Sequence, residues 1–156
     1  LYKRPAMADL VSAMCALYQS QPFDLILTGA PFERDINATF MAAFRQERSS
    51  NRFVMNADQE EIEGSQKFDQ DFMCLDFAGQ TSLPELSALI ERCDLMVSTD
   101  SGPYHMAVAL KVPTLVWFIK EEVASYHEDA WCRHVVHPKA SEFTRLAVQL
   151  LTQTQN

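Results

Sequence analysis

Apolar residues recur along this chain at two periods, and the two take turns. Behind Pro5, placed as a first-turn proline, Met7, Leu10, Val11, Met14 and Leu17 follow helical spacing. Asp24-Leu25-Ile26-Leu27-Thr28 is a short apolar run closed by Gly29, the pattern of a buried parallel strand. Glu33 to Glu47 returns to the helical period, with Ile36, Phe40, Ala43 and Phe44 on one face. Arg52 to Asn56 and Phe72 to Phe77 read as strands. The polar, acidic stretch between them, Ala57 to Asp71, reads as a surface loop. Ser82-Leu83-Pro84-Glu85 is a helix start: Ser82 can cap, Pro84 suits the first turn, and Glu85 stands three residues after the cap. Leu86, Leu89 and Ile90 form that helix's inner face. A strand over Asp94 to Thr99, a helix over Pro103 to Leu110 and a strand over Thr114 to Phe118 follow. The last helix runs from about Ser141 to Leu151, with Phe143, Leu146, Ala147, Leu150 and Leu151 inward.

Alternating strands and helices predict an α/β domain built on a parallel sheet. The 156 residues suit one domain with a sizeable core, and 47% hydrophobic with 22% charged residues is a globular balance. A net charge of −8 argues against a nucleic-acid-binding surface, which needs a basic patch. It leaves room for a nucleotide, because one phosphate pair can be held by backbone dipoles and one or two cations. The longest apolar stretch, Val112 to Ile119, is broken by Pro113 and Thr114 and is too short to cross a bilayer. The opening residues do not read as a signal peptide, so none is expected. The four cysteines, Cys15, Cys74, Cys93 and Cys132, show no paired spacing, which suits buried thiols in a reducing, cytosolic compartment. The chain opens on Leu1 rather than Met, as expected of a fragment or a cut chain.

The candidate chemistry lies in Asp94-Leu-Met-Val-Ser-Thr-Asp100-Ser-Gly-Pro-Tyr-His105-Met-Ala-Val-Ala-Leu110. A strand leads into a polar turn and then a helix of small residues. Open α/β sheets bind ligands beyond the carboxyl ends of their strands, where this turn falls. Ser101 can cap the helix, Gly102 admits an anion to the backbone, and Pro103 fits the first turn. Unpaired amides and the positive end of the helix dipole then favour a diphosphate. Asp100 would be repelled by that diphosphate, so it accepts from sugar hydroxyls or from the turn. His105 either donates to a phosphate oxygen or fixes the loop. Ala107 and Ala109 allow close helix packing. A second reading stands beside this one: an ordinary strand-to-helix turn, with Asp100 and Ser101 as caps only.

Gly79-Gln-Thr-Ser-Leu-Pro-Glu-Leu-Ser-Ala-Leu-Ile90, followed by Cys93-Asp-Leu-Met-Val-Ser-Thr-Asp-Ser-Gly-Pro-Tyr-His-Met-Ala-Val-Ala-Leu-Lys-Val-Pro-Thr114, resembles the C-terminal domain of the lipopolysaccharide heptosyltransferases, glycosyltransferase family 9. The resemblance extends from Pro5 to about Phe118. It implies a Rossmann-like parallel sheet with helices on both faces, the C-terminal half of a GT-B fold. The chain is then a single nucleotide-sugar-binding domain over residues 1–156, without its N-terminal acceptor domain. The implied activity is inverting, metal-independent transfer of a heptose-like sugar from an ADP-sugar to a lipopolysaccharide core acceptor. No cofactor is implied. The acceptor, lipid A–core, and the general base belong to the other half, and the full-length protein is expected in the cytoplasm, in reach of the inner membrane.

Carried over residue by residue, the resemblance assigns Asp100 to the donor sugar, and Ser101 and Gly102 to the diphosphate, with Pro103 and His105 in the same motif. In Gly29-Ala30-Pro31-Phe32-Glu33 it assigns Glu33 to the ribose; a favourable first-turn charge is the other reading of Glu33. Tyr2-Lys3-Arg4-Pro5 departs from the family pattern: the lysine stands one place late and the tryptophan is missing. Lys3, or Arg4 beside it, is the candidate to neutralise charge on the donor phosphate, against a solvated basic pair at the chain start. These departures and the acidic insertion also leave open a non-catalytic nucleotide- or partner-binding module of the same fold. A sugar-nucleotide epimerase is a weaker third reading.

Other groupings carry less. His127, Cys132, His134 and His137 are the right residue types for zinc, but their spacing matches no common motif, and His134 and His137 suit the flanks of a strand. Glu60, Glu61, Glu63, Asp69 and Asp71 read as a solvated acidic face. Trp117 and Phe118 read as core or rim rather than as a base platform.

Overall fold

The computed structural model describes residues 4–56, 72–120 and 129–153. Its elements run α1 (Met7–Ser20), β1 (Leu25–Leu27), a short 3-10 turn (Pro31–Glu33), α2 (Arg34–Asn56), β2 (Cys74–Asp76), α3 (Leu83–Glu91), β3 (Met96–Ser98), α4 (Gly102–Ala109), β4 (Thr114–Phe118), β5 (Cys132–Val136) and α5 (Ala140–Gln153). The chain divides into two compact units, residues 21–80 and the remainder.

In the larger unit, β3, β4 and β5 form a three-stranded sheet in that order, all pairs parallel. Met96 pairs with Thr114, and Thr114 with Cys132. All five residues of β4 are buried, as expected of a central strand covered on both faces. Because side chains alternate along a strand, Val116 and Phe118 pack with Tyr104 of α4, while Trp117 meets Phe143 of α5 with ring centroids 5.6 Å apart. Helices therefore cover both faces of this sheet. On one face α3 packs on α4 through Ile90, Ala107 and Val112, with Leu86 against them. On the other, α1 lies against α5 and buries Val11, Met14 and Leu17, the predicted stripe. Each such large side chain removed from water contributes roughly 1.5–3 kcal/mol.

The helix ends are set by local chemistry. Glu85 reaches back to the Ser82 amide (2.7 Å) and hydroxyl (2.6 Å), fixing the start of α3 as its sequence predicts. At the end of α4, Lys111 N–H donates to Val108 O and Val112 N–H to Ala107 O, with Lys111 in the left-handed region at φ 57°. That is the paired C-terminal bonding usually given to glycine. Of the two alanines expected to bring α4 close to its neighbours, Ala107 is buried and Ala109 is exposed.

In the smaller unit, β1 and β2 pair in parallel, Leu25 with Cys74. Phe40 and Phe44 of α2 are buried and stack at 5.8 Å, and Phe23 and Phe72 pack against Phe44. Two expectations change here. Arg52 to Asn56 is not a strand but the end of α2. No Gly or Pro interrupts the segment, so the helical ladder begun at Arg34 runs on and overrides the β propensity of Phe53 and Val54. Glu33 belongs to the 3-10 turn ahead of α2. The acidic stretch 57–71 lies outside the described residues. In the larger unit, Cys132–Val136 is a strand that the periodicity only hinted at.

Gly79 closes the smaller unit's sheet edge. Its N–H donates to Gly29 O at 2.8 Å, and it adopts φ 64°. A Cβ there would stand 2.7 Å from the Pro31 Cα and ring. Both the left-handed backbone and the contact exclude a side chain. Gly79→Ala is expected to cost roughly 1–3 kcal/mol, read as a lower denaturation midpoint with an unchanged slope in urea. An unchanged midpoint would contradict the contact.

Candidate functional site

Parallel pairing sends the ends of β3, β4 and β5 to one edge of the larger unit's sheet. The turn from β3 into α4 lies on that edge and holds Asp100, Ser101, Gly102, Pro103 and His105 together. Ser101 is the N-cap residue by backbone, with φ −153° and ψ 167°, and Pro103 sits in the first turn of α4. The hydroxyl of Ser101 does not cap the helix, as its position suggested it would. It donates instead to Thr99 O at 3.2 Å and lies 3.1 Å from the Ser98 hydroxyl, whose own bond to Thr99 O is 3.1 Å. The side-chain acceptor that normally covers a helix start is thus withdrawn. Gly102 opens α4, and a Cβ built on it meets nothing within 4 Å.

Tyr104 anchors this turn. It is wholly buried, edge-on to Phe118 at 6.1 Å, with its hydroxyl 3.4 Å from His134 Nε2 on β5. The next residue, His105, is exposed, and its ring lies 4.6 Å from the Tyr104 ring. Burial, then Cys132, then the Asp100 carboxylate push the Tyr104 hydroxyl up to about 12.

Glu33 belongs to the smaller unit. Its Oε2 accepts from Ala30 N–H at 2.6 Å and lies over Gly29, where a Cβ would meet it at 2.6 Å. The carboxylate therefore shapes the 29–33 turn, whatever else it binds. Arg34 Nε donates to Ala78 O, while Asp76 Oδ1 accepts from both Asn37 Nδ2 and Ala78 N–H. Phe32, beside Glu33, is 77% exposed. Lys3 lies outside the described residues, as does His127.

Trp117 and Phe118, read as core or rim, are core, each 2% exposed. Cys132 and His134 come together at 3.8 Å, whereas His137 turns to Ile119 O at 2.9 Å. Among the described residues no three His, Cys, Asp or Glu side chains gather as metal ligands would. The link between Tyr104 and His134 was missed from sequence. Sequence signals only that Cys132 and His134, two apart, share one face of a strand.

The raised Tyr104 value has a pH consequence. The fold holds the neutral phenol more firmly than the unfolded chain does, so this contribution is complete below about 10 and is lost as pH rises towards 12. Of the chain's four tyrosines, one is expected to ionise last in a 295 nm absorbance titration, and Tyr104→Phe should remove that late step. A late step that persists in the variant would contradict the assignment.

The sequence profile of glycosyltransferase family 9 (heptosyltransferase) matches residues 40–126, more than half of the chain. Two curated relatives share shorter stretches. Lipopolysaccharide heptosyltransferase 3 of Escherichia coli is 46% identical over 41 residues, 26% of this chain and 12% of that protein. Lipopolysaccharide core heptosyltransferase OpsX of Haemophilus influenzae is 43% identical over 44 residues, 28% of this chain and 13% of that protein. The solved structure of E. coli ADP-heptose lps heptosyltransferase II superposes over 99% of this chain and 44% of its own, with a TM-score of 0.72 at 17% identity, a likeness of fold. The chain thus spans less than half of that protein. With the parallel sheets and their flanking helices, these matches establish the α/β, GT-B-type fold expected from the motifs, and the chain belongs to glycosyltransferase family 9.

Proposed function

We propose that residues 1–156 form the donor-binding domain of a heptosyltransferase-type glycosyltransferase. It takes a heptose-like sugar from an ADP-sugar for transfer to a lipopolysaccharide core acceptor, by inversion and without a metal ion. The observation that carries this reading is the start of α4: the Ser101 hydroxyl bonds to Thr99 O rather than capping the helix, and a Cβ built on Gly102 meets nothing within 4 Å. A helix start without its side-chain cap, opening on an uncrowded glycine, suits a diphosphate.

The chemistry asks for this arrangement. As the bond from sugar to phosphate breaks, positive charge grows on the sugar ring and negative charge on the departing diphosphate. Fixed amides at Ser101 and Gly102, with the His105 imidazole beside them, oppose the growing negative charge without having to reorganise. Asp100 orients the sugar through its hydroxyls, a role in which its negative charge is no handicap. Glu33 is assigned to the ribose, and Lys3 to the donor phosphate, on the family resemblance alone. The general base and the acceptor site belong to a domain outside this chain, so the chain by itself binds donor weakly and transfers nothing. Among the described residues no helix is long and apolar enough to cross a membrane. A cytoplasmic protein meeting the inner membrane through its acceptor is the reading that fits an acceptor anchored there.

The test is a titration of the isotope-labelled chain with ADP and with ADP-heptose. Amide shifts centred on Ser101 to His105 are expected. No perturbation there at millimolar ligand would sink the proposal. Gly102→Val sharpens the test, because the added side chain points into empty space and should leave the melting temperature nearly unchanged. It is expected to weaken ADP binding by roughly tenfold or more, the equivalent of about 1.4 kcal/mol. Equal affinity in the variant would place the diphosphate elsewhere.

A further inference from the structure

His134, the half-buried histidine of β5, is used by nothing described so far, yet it touches the residue that anchors α4. Within the first turn of that helix Ser101, Gly102 and Pro103 are small or rigid, and Tyr104 is the side chain that reaches the core. Its ring crosses β4 at Phe118 and ends at His134, whose imidazole is itself edge-on to Phe118 at 5.0 Å and to Tyr104 at 6.2 Å. The hydroxyl stands 3.4 Å from His134 Nε2, and Cys132 Sγ is 3.8 Å from the same nitrogen. The Tyr104 ring also meets the His105 ring, tilted by 41° at 4.6 Å. A chain of ring contacts therefore runs from His134 on β5, edge-on to Tyr104, to the exposed imidazole of His105. Apolar packing by itself would be satisfied by phenylalanine. A hydroxyl-to-imidazole contact adds direction, since it fixes how far the ring slides along β4 and so where its other face presents His105.

We infer that His134 is a positioning residue for the donor turn, holding Tyr104 and, through its ring, setting the place of His105. This rests on the reading of the α4 turn as the donor site. Where the imidazole accepts or donates is set by its tautomer; the neutral phenol of Tyr104 can complement either form. The β5 partner acts on the turn without touching ligand.

The test uses the full chain and three substitutions: Tyr104→Phe, His134→Leu and His134→Gln. The Cε1–H resonance of His105 is read without ligand, where the ring current of Tyr104 reports their mutual placement. ADP affinity and melting temperature are read alongside. Tyr104→Phe and His134→Leu are each expected to move the His105 resonance in the same sense and to weaken ADP roughly fivefold, the worth of one hydrogen bond. The double variant should lose no more than either single one, because both remove the same link. His134→Gln, which restores a hydrogen-bonding group, should bring the resonance and the affinity back towards wild type. An unmoved His105 resonance in both single variants overturns the proposal. So does a loss of affinity that follows melting temperature alone and that His134→Gln fails to rescue. If wild type itself does not bind ADP, the donor reading fails, and the ligand-free His105 resonance still decides whether His134 sets the turn.

Discussion

Because β3, β4 and β5 pair in parallel, their carboxyl ends share one edge, and every side chain discussed as functional in the larger unit depends on that alignment. Antiparallel pairing would send alternate ends to opposite edges. Here the register of Thr114 on Cys132 brings His134 level with Val116, and Val116 and Phe118 form the floor on which Tyr104 lies. The α4 turn is thus linked to β5, two strands from β3, through one aromatic ring.

The turn itself shows a division of labour that a helix designed only for stability would not have. At α3 the start is closed by the Ser82 and Glu85 pair. At α4 a serine occupies the same cap position, but its hydroxyl is committed backwards to Thr99 O. A missing side-chain cap costs roughly 0.5–2 kcal/mol of helix stability. Burial of Tyr104 and Ala107, both inaccessible to solvent, offsets that cost and keeps the short helix in place. A helix held by its inner face can leave its first amides to a ligand.

In the smaller unit the polar groups at the sheet's carboxyl edge mostly serve the fold. Glu33 closes the turn before α2 through Ala30, Asp76 receives Asn37 and Ala78, and Gly79 lies against Pro31 at a distance no side chain allows. Glu33 shows that a motif carboxylate can shape its own loop as well as face outwards, so the two roles weighed for it from sequence are not exclusive.

The linear sequence by itself determined the alternation of strands and helices, the buried stripe of α1, Phe40 and Phe44 of α2 but not Ile36, which was expected inward and is 38% exposed, the capped start of α3 and the strand–turn–helix motif at Asp100 to His105. These depend on period, propensity and residue chemistry within a few neighbours, and those are written locally. It did not determine that Arg52 to Asn56 continues a helix, because β-forming residues there yield to an uninterrupted ladder begun twenty residues earlier. Nor did it show which way the Ser101 hydroxyl turns, since a cap and a bond to Thr99 O are equally available to that residue until the turn is folded. Most of all it could not pair Tyr104 with His134. Thirty residues of chain separate them, and only the pairing of β5 beside β4, with Tyr104 packed on Val116, Phe118 and Cys132, makes them neighbours.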